Sequence, residues 1–366
     1  MKKFTSLLVT LIMVVGLLLT GCSQSSSTTK TTTKKTKVGF IYVGAAGDGG
    51  YTQAHDQGRL YMAKQLGVET IYKENVKEDT AEVEKVSEDM INQGCTVIIG
   101  TSFGFMDGIV NQAKKHPEVK FLHCSGYKTA DNLGTYFGRM YQMRYLSGIV
   151  AGMKTKTHKL GYVAAFELPE VVRGINAFTL GAQSVDPSVV VNVKWTHTWY
   201  DPATEKEAAK ALISEGVDVI AQHQDSAGAQ QAAEEAGISS IGYDSDMKDK
   251  APNAYMTAPV WNWGPYYVKE VKAVMAGTWK SEQYWGSVTD GIVGLAPLTK
   301  NAPAGAQAAI DKAKTDIESG KQKIFVGPIK DQTGVVKVPS GSVMSDKDML
   351  NFDWFVKGVQ GKIVKQ

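Results

Sequence analysis

From Lys37 onward the chain alternates short unbroken apolar runs with longer stretches in which apolar positions recur every three or four residues. The runs VGFIYV (38–43), VIIGT (97–101), KFLHCSG (120–126), LGYVAAF (160–166), VVVNVKW (189–195), VDVIAQH (217–223) and ISSIGYD (238–244) are β-branched and continuous rather than alternating. Strands of that kind are buried on both faces, as in a parallel sheet covered by helices. Between them, DTAEVEKVSEDMINQ (79–93) puts Val83, Val86, Met90 and Ile91 on one stripe and stops at Gly94. PATEKEAAKALISE (202–215) opens with a proline in its first turn and stops at Gly216. Each helix leads into a similar run, GCTVIIG in one case and GVDVIAQ in the other. The pattern predicts an α/β chain in which one βαβ architecture is used twice, as two doubly wound, Rossmann-like lobes. Ligands of such sheets sit beyond the carboxyl ends of the strands. The loops GAAGDGGYT, TSFGFMDG, FELPE, THTWYDP, QHQDSAG, YDSDM and PVWNWGP are therefore expected to line a cleft between the lobes.

The N-terminal region follows a different pattern. MKKFTSLLVTLIMVVGLLLTGC has two lysines, an apolar run and small residues before Cys22, which reads as a signal peptide over 1–21. The apolar run is short for a membrane span, which needs roughly 20 residues. The four residues Leu19 to Cys22 resemble the lipobox of bacterial lipoproteins, which implies cleavage before Cys22 and lipidation of that residue. The stretch that follows, SQSSSTTKTTTKKTK, has no apolar side chain to bury, so residues 22–36 are expected to form a flexible tether from a membrane to a folded body.

Charge is distributed in the same two-part way. The formal net charge is +3, but six of the 40 basic residues (Lys2, Lys3, Lys30, Lys34, Lys35 and Lys37) fall in the leader and tether, leaving 34 against 37 acidic ones in the body. A body near −3 lacks the basic footprint of a nucleic-acid binder. Cys95 and Cys124 sit inside strand-like runs, where a thiol acts as a small hydrophobe. The six histidines show no metal-ligand spacing, so no metal or other cofactor is expected.

Candidate chemistry lies in the loops. GAAGDGGYT is glycine-rich but has neither the G-x-G-x-x-G spacing nor a P-loop lysine, which argues against a phosphate cradle. Its contact groups are Asp48 and Tyr51; capping of the following helix is the alternative role for this turn. In TSFGFMDG the candidates are Ser102, Phe103 and Asp107, with Phe105 read as packing beneath the loop. Asp107 is placed either as a charge in the first turn of a helix or as an acceptor for an N–H-rich ligand. Trp199 falls just after a strand, where an exposed indole is costly, so it is covered by the partner lobe or by a ligand. Asp225, Asp244 and Asp246 fall at two neighbouring strand ends as acceptors or helix caps, and no G-x-S-x-G elbow or comparable nucleophile accompanies them. In TAPVWNWGPYY (257–267), Trp261, Asn262 and Trp263 are placed on a strand-to-helix loop. Flat rings there suit a flat ligand, and an amide reads the N6 and N7 edge of an adenine; interlobe packing of the two indoles is the competing role.

Taken together, KVGFIYVGAAGDGGYTQAHDQG (37–58), GTSFGFMDGI (100–109), FELPEVVRGINAFTLGA (166–182), WYDPATEKEAAKALISEGVDVI (199–220) and GYDSDM (242–247) resemble the basic membrane protein family. These are lipoprotein substrate-binding proteins of ABC importers, and the likeness, to the purine nucleoside receptor A type, runs over about residues 37 to 330. The resemblance implies a type I periplasmic-binding-protein fold, with two lobes joined by three crossings and closing by a hinge over a purine. It implies one lobe of 37–158 plus about 256–280 and another of 159–255 plus about 281–366. Asp48 and Tyr51 match first-loop ligand positions, Asp107 an acidic base-reading position, and Asp244 a position that helps hold ribose. Nucleoside-binding relatives tend to carry a sugar-supporting lysine where this chain has Val260, Trp261 and Asn262, so a free nucleobase such as adenine, hypoxanthine or guanine is favoured over a nucleoside. The partners implied are an ABC permease and ATPase, with the protein itself a monomer, lipid-anchored outside the cell membrane, and not an enzyme. A tethered sensor, and a sugar- or nucleoside-binding protein of the same fold, are the other readings.

Overall fold

The computed structural model describes residues 36–364. The expected signal peptide (1–21), Cys22 and all but the last residue of the tether (22–36) lie outside them.

The first half of the chain runs β1 (Lys37–Ile41), α1 (Tyr51–Leu66), β2 (Glu69–Lys73), α2 (Thr80–Asn92), β3 (Val97–Gly100), α3 (Met106–Lys115), β4 (Lys120–Cys124) and β5 (Leu133–Gly138). It continues with α4 (Tyr141–Lys154), β6 (Lys159–Ala164), α5 (Pro169–Gln183), β7 (Val190–Trp195), α6 (Pro202–Ser214), β8 (Val219–His223), α7 (Gly228–Glu235), β9 (Ser239–Ile241) and β10 (Tyr255–Thr257). The remainder comprises β11 (Pro259–Trp261), α8 (Gly264–Met275), β12 (Gln283–Gly286), β13 (Val293–Leu295), α9 (Ala306–Glu318), β14 (Ile329–Lys330), β15 (Val336–Val338), α10 (Asp346–Leu350) and β16 (Val359–Gln360).

Two six-stranded sheets organise these elements, one ordered β12-β5-β4-β3-β1-β2 and the other β10-β9-β8-β6-β7-β16. Every pairing within them is parallel. Apart from the late strands β12 and β16, the order within each sheet is the same: the first strand of the unit lies between its second and its third. The repeated βαβ pattern read in the sequence is thus a repeated topology, with a switch point beside β1 in one lobe and beside β6 in the other.

Local signals set the helix ends. Asp79 caps α2 by accepting from the Glu82 N–H at 3.0 Å, and Asp201 caps α6 by accepting from Ala203 and Thr204 at 3.1 Å. Gly94 and Gly216, just past the two helices, adopt left-handed φ of 91° and 86°, a conformation that costs glycine least. The stripe of α2 faces the core through Val83 and Met90.

The chain passes between lobes three times, from β5 to β6, from β10 to α8, and from β12 to α9. The second and third crossings are clipped together by the antiparallel pair β11–β13. Two placements differ from the expected boundaries. Helix α4, expected within 37–158 of the first lobe, packs on α5 and α9 of the second. Glycines make that contact close: a Cβ on Gly148 would lie 2.1 Å from the Phe178 carbonyl oxygen, and one on Gly181 2.0 Å from that of Tyr145. Strand β12, expected in the second lobe, extends the first sheet beside β5. After α9 the chain returns along the second lobe and adds β16 beside β7.

Candidate functional site

Both switch points open onto one cavity. It is walled by Tyr51, Ser102, Phe103 and Phe137 from the first lobe and by Glu170, Trp199, His223, Asp225 and Tyr243 from the second, with Val43 and Ser125 completing it; about 350 Å³ of space, part of it open to solvent, lies between them. The lining residues lie at or just past the carboxyl ends of strands or open the next helix, which is where the doubly wound topology delivers loops.

On the first-lobe side, Asp48 does not line the cavity. Its carboxylate accepts from the backbone N–H groups of Gly50, Thr52 and Gln53 at 2.8, 2.9 and 3.0 Å, so it fixes the turn into α1 and thereby aims Tyr51. Burial raises the Asp48 carboxyl although these bonds oppose it. Tyr51 donates to the Thr101 carbonyl at 2.7 Å and lies 3.3 Å from the Cys124 thiol. Ser102 is buried and donates to Glu78, while Phe103 is half-buried and faces the cavity. Phe105 is fully buried beneath the loop, as expected. Asp107 is exposed in the first turn of α3 and ion-paired with Lys128 at 2.6 Å, which holds its carboxyl low.

On the second-lobe side, Trp199 is half-buried, sets its ring edge-on to Phe166, and donates through Nε1 to Glu78 of the opposite lobe at 3.3 Å. The Ser245 hydroxyl donates across the cleft to the Gly49 carbonyl at 2.5 Å. Gly50 meets Asp225 so closely that a Cβ there would lie 2.2 Å from the Asp225 carbonyl oxygen. These contacts describe lobes pressed together. Asp225 is 5% exposed, and burial together with the nearby Asp244, Asp48 and Glu205 pushes its carboxyl well up. Asp244 is fully buried in a left-handed conformation, with Oδ1 accepting from the Trp261 indole at 2.9 Å and Oδ2 without a partner. Asp246 is exposed and paired with Lys248 at 3.1 Å.

The rings of TAPVWNWGPYY face inward rather than into the cleft. Trp261 stacks on Trp263 at 4.4 Å and Trp263 on His55 at 4.5 Å, while Tyr136 and Tyr267 close the cluster. Asn262 is exposed and donates to the Gly291 carbonyl at 2.9 Å, joining the two crossings. Of the three tryptophans expected around a ligand, only Trp199 borders the cavity; the other two had an interior role because α8 docks on α1 directly beneath them.

Several lining residues were not singled out in the sequence. Glu170 lies in the FELPE loop, Tyr243 immediately precedes Asp244, His223 stands two residues before Asp225, and Phe137 is the penultimate residue of β5, a segment outside the apolar runs read as strands. Burial raises the Glu170 carboxyl to about 7 against the opposing pull of Arg173. Burial, helped by Arg144 and Arg173, holds His223 well below its ordinary value, so its imidazole is neutral. Among the described residues no group of His, Cys, Asp and Glu could hold a metal ion, and no helix is long and apolar enough to cross a membrane. Cys95 and Cys124 are free, buried thiols.

Comparison with known proteins gives the family and the fold. The chain is 44% identical over 352 residues to a purine-binding protein of Brucella abortus, covering 96% of this chain and 98% of the relative. It is 36% identical over 326 residues to a putative ABC transporter glucose-binding protein of Haloferax volcanii, covering 88% and 80%. Among solved structures, an ABC transporter solute-binding protein from Aeropyrum pernix superposes with a TM-score of 0.70 at 19% identity over 86% of this chain and 95% of that one. One from Conexibacter woesei gives 0.66 at 22% identity over 79% and 98%; at these identities both speak for the fold alone. Residues 35–333 match the model of the family described as ABC transporter substrate-binding protein PnrA-like, and the chain therefore belongs to that family of substrate-binding proteins rather than enzymes.

Proposed function

We propose that the protein is a lipid-anchored extracytoplasmic receptor that takes up a purine in the interlobe cavity and delivers it to the permease and ATPase of an ABC importer. The observation that carries this reading is the wall of the cavity, in which aromatic faces from both lobes surround a few polar groups. Phe103, Phe137, Tyr51, Trp199 and Tyr243 offer stacking surface, worth about 1–3 kcal/mol per base. Ser102, Ser125, Glu170, His223 and Asp225 are left to read the edge. The purine-binding name of the 44% identical relative supports the same class. A free nucleobase is preferred over a nucleoside because the Asp244 carboxyl, placed for a ribose by the family resemblance, already binds the Trp261 indole outside the cavity wall. Neither Asp107 nor Trp261, Asn262 and Trp263 belongs to this site; Asp48 serves it by holding Tyr51. Cys22 and the tether supply the anchor.

Titration calorimetry and thermal shift with adenine, hypoxanthine, guanine and their nucleosides test the reading. Saturable heat with a free base, and weaker heat with its nucleoside, is expected; no heat and no shift with any purine would remove it. A sugar ligand is the second reading, favoured by the name of the Haloferax volcanii relative. Glucose belongs in the same titration, and saturable binding of glucose alone would replace the purine.

A further inference from the structure

Glu170 opens α5 and separates two spaces. With Phe103, Ser125 and Phe137 it borders both the interlobe cavity and a wider groove lined by Tyr284, Trp285, Asp346 and Leu350, and it is the one carboxyl that lines both. No described residue hydrogen-bonds to it. Arg173 is one turn along the same helix but faces the C-terminal segment: Nη1 donates to the Met349 carbonyl at 2.7 Å and the guanidinium lies 4.9 Å from the Trp285 ring centroid. The other titratable groups around Glu170 are Tyr51, Cys124, Glu78, Tyr243 and, across the cavity, His223 and Asp225. The cations on the groove side are Arg173 and Lys347; on the cavity side none of the groups supplies a positive charge, since the phenols and the thiol are raised by burial and His223 is neutral.

We propose that Glu170 is the specificity-determining residue of the site, presenting a protonated carboxyl whose O–H and C=O together engage an adjacent donor and acceptor on the edge of a heterocyclic base. This rests on the purine reading above. An ionised carboxylate only accepts, whereas the neutral acid donates and accepts side by side, and a half-buried carboxyl set in the cavity wall without a hydrogen-bond partner is favoured in that form by desolvation. The edges of adenine and of hypoxanthine both carry a donor beside an acceptor, so the acid fits either by exchanging the roles of its two oxygens. Burial raises the group to about 7, within the range in which the protein can be assayed. Ligand binding then takes up a proton as pH rises through that value.

The test is adenine affinity by calorimetry from about pH 5.5 to about pH 8.5, for the wild type and for Glu170→Gln, whose amide keeps a donor beside an acceptor but does not titrate. The wild-type Kd should rise about tenfold between pH 6 and pH 8, as expected when only the acid form binds and the midpoint is near 7, and the Gln variant should lose that slope. Wild-type titrations at pH 7 in buffers of different ionisation enthalpy should register uptake of about half a proton per adenine bound. This second measurement decides the matter if Glu170→Gln does not fold. Coinciding pH profiles for the two proteins, or adenine binding without proton uptake, overturn the role of Glu170 while leaving the purine reading intact. Absence of adenine binding at every pH, with hypoxanthine and guanine equally silent, overturns both.

Discussion

Replacing Gly50 by alanine isolates the closing of the two lobes from their folding. A Cβ at this position would lie 2.2 Å from the Asp225 carbonyl oxygen, 2.9 Å from its carbon and 3.0 Å from the Met247 methyl. A real contact of this kind needs at least about 3 Å. Since Gly50 opens α1 in the first lobe and the obstructing atoms are backbone of the second, relief comes from parting the lobes by roughly 0.8 Å or more at this point, the gap between those two distances. Such a movement stretches the neighbouring bond from Ser245 to the Gly49 carbonyl, now 2.5 Å, and the one from Trp199 to Glu78, now 3.3 Å. A neutral hydrogen bond is worth about 0.5–1.5 kcal/mol and one to a carboxylate about 1.5–3 kcal/mol. Losing both costs the closed form about 2–4 kcal/mol, or roughly 30- to 1,000-fold in affinity. The substitution leaves the core side chains in place, so the unliganded protein should unfold in urea within about 0.5 kcal/mol of the wild type, as for a surface change. Adenine titration and urea unfolding of the same preparation read the two effects. Wild-type affinity in Gly50→Ala would refute the idea that this contact belongs to the ligand-holding state, and a large loss of unliganded stability would show it to be a folding contact.

Two tryptophans should behave in opposite ways. Trp199→Ala removes an aromatic wall of the cavity and is expected to weaken base binding by about 1–3 kcal/mol, roughly 5- to 150-fold, with little change in urea midpoint. Trp261→Phe removes the donor to the buried Asp244 and should destabilise the fold by about 2–4 kcal/mol while shifting affinity much less; the reverse ranking would restore Trp261 to the site. Stability should also fall with rising pH through Glu205, which is fully buried, accepts from Ser226 and from the Asp201 N–H, and is raised by burial to about 7. The folded protein holds a proton there that the unfolded chain releases, so the contribution is complete below the ordinary glutamate value and is lost as pH rises through about 7, up to about 3 kcal/mol. Urea unfolding at pH 5 and pH 8 should show that difference in the wild type and a smaller one in Glu205→Gln; equal pH dependence would disprove the assignment.

The chain's own periodicity determined the elements that matter most. Unbroken apolar runs mark β1, β3, β4, β6, β8 and β9 because a strand covered on both faces has no polar side to show, whereas β7, expected to be continuous, alternates buried Val191 and Val193 with half-exposed Asn192 and Lys194 because only the two-residue β16 lies beyond it; α2 and α6 end at glycines because only the backbone conformation there is at stake. The echo between the two βαβ units foretold two sheets with the same strand order and a ligand space at their carboxyl ends. Less was legible where an element is short or sits at a sheet edge: β2 is half-exposed and β12 joins the first sheet only after a long excursion through the second, so neither has a local signature.

For the cavity, the sequence named the right loops and often the neighbouring residue. Asp225, Ser102, Phe103, Tyr51 and Trp199 line it, whereas Glu170, His223 and Tyr243 were passed over beside better-known residue types. What the sequence could not decide is which way an aromatic side chain on a strand-to-helix loop turns. Trp261 and Trp263 carry the same chemistry as Trp199, but α8 docks on α1 beneath the first two and gives their rings a dry stack with His55, while Trp199 stays half-buried at the cleft, edge-on to Phe166 and bonded to Glu78 of the opposite lobe. Burial is a property of the assembled body: local pattern fixes which residues can be covered, and the packing of distant elements decides what covers them.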